Sequence, residues 1–285
     1  MTVAAKASGS VRASGARLYF EVHGSGPVLL LIHGSIADGA LYGPIAGLLA
    51  AHYTVVAYDR RGYVRSPLDG AAGDLLMAEQ SDDARCVLDE VGADSAFVLG
   101  SSAGAVIALD FLVRHPDRVR GVVAHEPPAL SLLPDGAELS GFVEGLGAVA
   151  RESGVQAAAD ALLARMLPEP AQPEFEPGFV WDTQLPSRMA ANSEFWFTHE
   201  AKPGFAHSPD LAALTARARS GQLVLGVGED SAAWPAARSG LLLGSAVGAP
   251  VETFPGGHNG YLERPRAFQE KLIGVLSRWS DQGPA

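Results

Sequence analysis

The chain is poor in the features that tie a protein to metals, membranes or nucleic acid. Cysteine occurs once, at Cys86, so no intrachain disulfide can form and the fold must rest on its core. That thiol lies in a helix-compatible stretch, Ser81–Glu90, where a small buried hydrophobe is its expected role. No run approaches the roughly 20 apolar residues of a membrane-spanning helix. The Ala-, Ser- and Gly-rich N-terminus, residues 1–15, has no apolar segment of signal-peptide length and is expected to be flexible. Basic residues are in deficit: 21 Lys and Arg stand against 32 Asp and Glu, for a net charge of −11. That balance argues against nucleic acid or an anionic membrane as partner. The eight histidines are scattered, with none paired at ligand spacing, so neither a metal nor another cofactor is expected. The expectation is a cytoplasmic protein with a small-molecule partner, and either a monomer or a homodimer is compatible with the sequence.

At 285 residues with 47% hydrophobic content, the chain can bury a large core. Short apolar runs alternate with longer helix-compatible segments, the pattern of βαβ units and a parallel sheet. The runs at 16–23, 28–33, 54–58, 96–100, 119–125, 222–227 and 250–254 read as strands. Several are apolar almost throughout, as strands covered on both faces must be. Helices are expected near 41–52, 75–91, 103–115 and 265–279. Between 127 and 220 the strand signal disappears. Helices at 139–150 and 155–166 are followed by prolines at 168, 170, 173 and 177 and by a concentration of aromatics. The reading is an α/β core formed by residues 16–126 and 221–281, with 127–220 inserted as a helical cap.

Three segments carry chemistry. Gly100-Ser101-Ser102-Ala103-Gly104 matches G-x-S-x-G between a buried strand and a helix. A chain reversing there exposes the Ser102 hydroxyl on a strained turn, and the helix start offers N–H groups to a developing oxyanion. His33-Gly34-Ser35 ends another apolar strand. Gly34 lets the backbone turn outward, so that Gly34 or Ser35 can supply an N–H to complete an oxyanion hole with Ala103. His33 itself is expected to be structural. His258, on the Gly-rich loop Phe254–Tyr261 after the last strand, is placed to serve as a base for the serine. The base needs a carboxylate to orient it. Glu126, after the strand 119–125, and Glu229 or Asp230, after the strand 222–227, all satisfy the order serine–acid–histidine.

From about Leu18 to Trp279 the sequence resembles the α/β-hydrolase family. His33-Gly34, Asp59-Arg60-Arg61-Gly62-Tyr63-Val64-Arg65-Ser66, Gly100–Gly104 and Gly257-His258 stand in the family's order. Val64 replaces a second glycine common in the family. Many members carry Gly-x-x-Asp after the strand that here ends at Val227; this chain has Gly228-Glu229-Asp230-Ser231. His125-Glu126-Pro127-Pro128 instead resembles a subgroup that takes its acid after the sixth strand and includes zearalenone-type lactone hydrolases. The resemblance therefore favours Glu126 as the acid, with Asp230 the alternative. It also implies a cap tryptophan facing the ligand, Trp196 or else Trp181. The fold it implies is a mostly parallel, doubly wound sheet with an inserted helical cap. The activity it implies is serine-nucleophile hydrolysis of a hydrophobic, ring-containing ester or lactone through an acyl-enzyme. A serine at position 102 argues against dehalogenase and epoxide hydrolase chemistry, which use aspartate. Carbon–carbon bond hydrolysis and cofactor-free haloperoxidase or perhydrolase chemistry share the same three residues, and a non-catalytic ligand-binding homologue shares the fold.

Overall fold

The computed structural model describes residues 7–166, 176 and 182–280. Its eight strands are β1 (Ala7–Ala13), β2 (Ala16–Gly24), β3 (Val28–Ile32), β4 (Thr54–Tyr58), β5 (Ala96–Ser101), β6 (Val119–His125), β7 (Leu223–Gly228) and β8 (Val251–Phe254). They form one sheet in the order β1-β2-β4-β3-β5-β6-β7-β8. The first two strands run antiparallel to their neighbours and every pairing from β4 to β8 is parallel.

The helices are α1 (Gly43–Leu49), α2 (Met77–Glu90), α3 (Ala103–Arg114), α4 (Gly136–Ser153), α5 (Val155–Met166), α6 (Leu185–Phe195), α7 (Ala201–Ala206), α8 (Leu211–Arg219), α9 (Pro235–Val247), α10 (Gly260–Glu263) and α11 (Pro265–Ser280). A π-helical turn, Trp196–Glu200, joins α6 to α7. Because side chains alternate along a strand, Leu30 and Ile32 face one layer while Leu29 and Leu31 face the other. The first layer packs on α2, α3, α8 and α9, the second on α1, α10 and α11. Both faces are thus covered, which is why the central strands are apolar throughout.

Two expected boundaries change. The N-terminal segment is a strand from Ala7 onward, turning at Ser14-Gly15 and pairing with β2 from Ala7↔Val22 to Ala13↔Ala16. Its composition hid this, because an edge strand needs main-chain partners more than apolar side chains. The inserted region is shorter than 127–220. Leu214 and Ala218 of α8 are buried in the first core layer with α3 and α9, so α8 belongs to the core and delivers the chain into β7. The insertion proper has its own small apolar cluster of Val143, Leu146, Ala158, Trp196, Phe197 and Ala201. Trp181 and the aromatic and proline positions at 168, 170, 173, 175, 177 and 179 lie outside the described residues.

If α8 is a core helix, Leu214→Ala leaves a cavity under the sheet and lowers global stability by about 2–5 kcal/mol. Urea unfolding followed by far-UV circular dichroism should show one transition moved to lower denaturant. A separate early transition, with the main one unmoved, would place α8 with the insertion instead.

Candidate active site

The strands from β3 to β7 end on one edge, and the register sets that edge level: Ser101 lies opposite His125, which lies opposite Gly226. Ser102 and Glu126 each sit one residue beyond it. Ser102 follows β5 with φ 55° and ψ −125°, a conformation outside the comfortable regions for a side chain. Its N–H donates to the His125 carbonyl at 2.9 Å. The reversal is possible because two neighbours lack side chains. A Cβ on Gly100 would lie 2.2 Å from the Gly104 carbonyl oxygen, and one on Gly104 would lie 2.1 Å from that of Ile32. The helix α3 opens at Ala103, whose N–H belongs to the first turn and has no acceptor within the helix.

Glu126 follows β6 and is also in the left-handed region, with φ 50°. Its carboxylate has no solvent exposure. Oε2 lies 2.6 Å from His258 Nδ1. Oε1 accepts the Gly228 N–H at 2.8 Å and the Ser231 hydroxyl. Burial pushes this carboxyl up; the His258 hydrogen bond and charge, His125 and Ser231 outweigh it and hold the group at about 2. Burial takes the neighbouring His125 imidazole down to about 4, so that side chain is neutral near pH 7. His258 stands on the loop after β8, its ring 6.0 Å from that of Trp234. With Nδ1 committed to Glu126, Nε2 is the nitrogen left for chemistry.

Asp230 is elsewhere. It is about half exposed and pairs with Arg264 at 2.9 Å. Ser231, which occupies the position of the family's usual acid, is fully buried and donates to Glu126. The carboxylate and its supporting donor have exchanged strands.

The loop after β3 brings Gly34 against the elbow: a Cβ there would lie 3.0 Å from Ser102 Cβ. Gly34 carbonyl oxygen accepts from His33 Nδ1 and from Arg60 Nη2, each at 2.8 Å. Since His33 Nε2 accepts the Arg60 N–H at 3.1 Å, Nδ1 carries the ring proton. Burial, then the Arg60 charge, keeps His33 well below its ordinary pKa and neutral. The Gly34–Ser35 peptide is trans, so Ser35 N–H points opposite to that anchored carbonyl. Ile36 next to it has φ 56°.

Sequence reasoning missed Arg60, Gln80 and Glu200. Arg60 follows β4 and is 1% exposed. Nη1 donates to Gln80 Oε1 at 2.7 Å and to Glu200 Oε1; Nη2 donates to Gly34 O and to Tyr63 Oη, the latter at 2.6 Å. Tyr63 Oη in turn donates to Glu200 Oε2 at 2.8 Å. The first Arg of Asp59-Arg60-Arg61-Gly62 stands in a motif quoted from the sequence, but nothing local marks it as buried, and its partner on the insertion carried no signal at all.

Beside Ala103 a narrow cleft is walled by Met77, Val106, Ile107, Pro128 and Trp196, with Gln80 and Glu200 its polar wall residues. Trp196 therefore lines the cleft while also packing in the insertion's own cluster. Among the described residues no helix is long and apolar enough to cross a membrane.

A model of the family described as "alpha/beta hydrolase fold" matches residues 27–161. The uncharacterized hydrolase YraK of Bacillus subtilis (strain 168) is 32% identical over 281 residues, spanning 95% of this chain and 96% of its own. Among solved structures, a thermophilic esterase from Thermogutta terrifontis superposes with a TM-score of 0.75 at 18% identity, over 96% of this chain and 99% of its own. An N-acyl homoserine lactone degrading enzyme superposes at 0.65 with 23% identity, over 93% and 99%. At these identities the two structures speak for the fold alone.

The depressed Glu126 carboxyl has a consequence for stability. A carboxylate favoured in the folded state contributes fully above its unfolded pKa, near 4.5, and loses that contribution as pH falls through the folded value of about 2. The stability difference between wild type and Glu126→Gln should shrink steadily as the pH falls from about 5 toward 2. Urea titrations at a series of pH values measure it; a difference independent of pH would mean that Glu126 is not held ionised.

Proposed function

The chain belongs to the α/β-hydrolase family and is a hydrolase of that fold; within the family we propose that it is a serine hydrolase cleaving a carboxylic ester or lactone of a hydrophobic, ring-containing small molecule. The observation that carries this reading is the Glu126–His258 hydrogen bond on the edge where Ser102 stands on its strained turn. Glu126 fixes the His258 tautomer and stabilises the imidazolium once it forms. His258 Nε2 takes the Ser102 proton, and the Ser102 oxygen attacks the carbonyl carbon. The oxyanion that develops is held by Ala103 N–H and Ser35 N–H, the latter favoured over Gly34 because its carbonyl partner is anchored the opposite way. His258 then protonates the leaving alcohol, and water hydrolyses the acyl-enzyme by the reverse steps.

The substrate class rests on the cleft. Its walls are mainly apolar, with an aromatic face from Trp196, and suit a hydrophobic ring. The esterase and the lactone-degrading enzyme named above support ester or lactone chemistry by analogy of fold.

Turnover of an activated aryl ester and of aromatic and macrocyclic lactones tests the proposal. Ser102→Ala should lose at least about a thousandfold in kcat, and Glu126→Ala about a hundred- to ten-thousandfold. Asp230→Ala should stay within about threefold, as an exposed ion-paired residue would. Equal turnover by folded wild type and Ser102→Ala sinks the serine mechanism; a large loss in Asp230→Ala alone moves the acid to β7.

A further inference from the structure

Four of the five guanidinium N–H donors of Arg60 are used, and each points to a different part of the edge: Gln80 on α2, Glu200 on the insertion, Tyr63 in the loop after β4, and the Gly34 carbonyl beside Ser102. Arg60 and Glu200 are both buried, so their charges answer each other away from water. Tyr63 closes the ring by accepting from Arg60 and donating to Glu200. One side of this hub is the last residue of the π-helical turn that also carries Trp196, a wall of the cleft. The other side is the carbonyl of the peptide whose N–H is Ser35.

We propose that Arg60 is a positioning residue that makes the oxyanion loop depend on the seating of the insertion. When Glu200 is seated it holds one arm of the guanidinium; the planar fork then fixes the other arm on Gly34 O, and the Gly34–Ser35 peptide presents its N–H toward Ser102. With Glu200 withdrawn, the fork loses its counter-charge in a buried place, and the peptide loses one of its two anchors. His33 Nδ1 remains as the other anchor, so the loop loosens rather than collapses. The insertion thus does two things at once: it walls the cleft and completes the oxyanion site. The catalytic part of this inference rests on the serine-hydrolase reading; the coupling between insertion and loop does not.

Arg60→Lys and Glu200→Gln separate the possibilities. Lysine keeps a charge for Glu200 but has no planar fork to reach Gly34 O at the same time. Glutamine keeps the shape of Glu200 and removes its charge. Hydrogen exchange followed by mass spectrometry should show faster exchange across residues 33–37 in both variants, with β6 unchanged. On an activated ester, Arg60→Lys should lose about 10–100-fold in kcat with KM changed less than about threefold. Its affinity for a trifluoromethyl ketone should fall in proportion to kcat/KM, because that ligand forms a tetrahedral oxyanion. Glu200→Gln should show the same signature at smaller size. Unchanged exchange at 33–37 in folded Glu200→Gln overturns the coupling, whatever the activity. A rise in KM alone, with kcat and relative inhibitor affinity intact, makes Arg60 a plain latch and overturns its positioning role. Wild type inert toward every ester, with the exchange response present, overturns the serine mechanism and leaves the coupling standing.

Discussion

A buried carboxylate at the end of β6 organises one half of the functional edge. Removing such a charge from water costs several kcal/mol unless donors replace the lost hydration. Glu126 finds three: the Gly228 N–H at the end of β7, the Ser231 hydroxyl just beyond it, and His258 after β8. Satisfying one charge therefore fixes two loops from other strands. It also explains the change at position 231. A second carboxylate there would face the first across a hydrogen-bond distance in a dry site, and like charges that close cannot both stay ionised. A serine turns the same place into a donor.

The other half of the edge is organised by the opposite charge. Arg60 gathers the β3 loop, α2 and the insertion as Glu126 gathers the β7 and β8 loops. Ser102 lies between the two hubs, its N–H tied to β6 and its Cβ against Gly34. Ile36, Ser102 and Glu126 are the non-glycine residues with positive φ among the described residues, and all follow strands on this edge. Strain of that kind costs of order 1–3 kcal/mol per residue and persists only where the surroundings over-determine the backbone. Two charge hubs on a sheet with both faces packed supply that determination.

Much of this was legible in the sequence, because the sheet announces itself locally. Apolar runs gave β3 to β8, and the small residues around Ser102 marked a turn that only close backbone approach requires. Glu126 could be weighed against Asp230 only by resemblance, since both follow strands and the chain order permits both. What decides their placement is which side chain is buried against His258, and that is a long-range fact spanning 132 residues of chain. Arg60 and Glu200 were illegible for the same reason: 140 residues separate them, and neither has a local pattern that marks it as buried. The edge strand β1 was missed because its stability comes from main-chain pairing, to which composition is blind. The reach of the insertion was overdrawn because α8 is helical like the insertion, and helicity alone does not say which core a helix serves.

The insertion is held differently from the rest. Its own apolar cluster is small, and its seat on the core mixes polar and apolar contacts: Arg188 on Asp38, Asn192 on Val64 N and Ala37 O, Glu200 on Arg60 and the His199 carbonyl on Leu75 N, beside Leu185 and Met189 packed into the second core layer and Phe195 against Tyr63. Buried ion pairs of this sort add little net stability, because desolvation offsets their attraction, but they accept only one arrangement. The polar part of the seat therefore defines a single position for the insertion. Val64, where the family often has glycine, fits this picture: it is half exposed, its φ is not positive, and its N–H is spent on Asn192 of the insertion. The loop after β4 has thus given up a glycine's freedom at the place where it must offer the insertion a fixed partner.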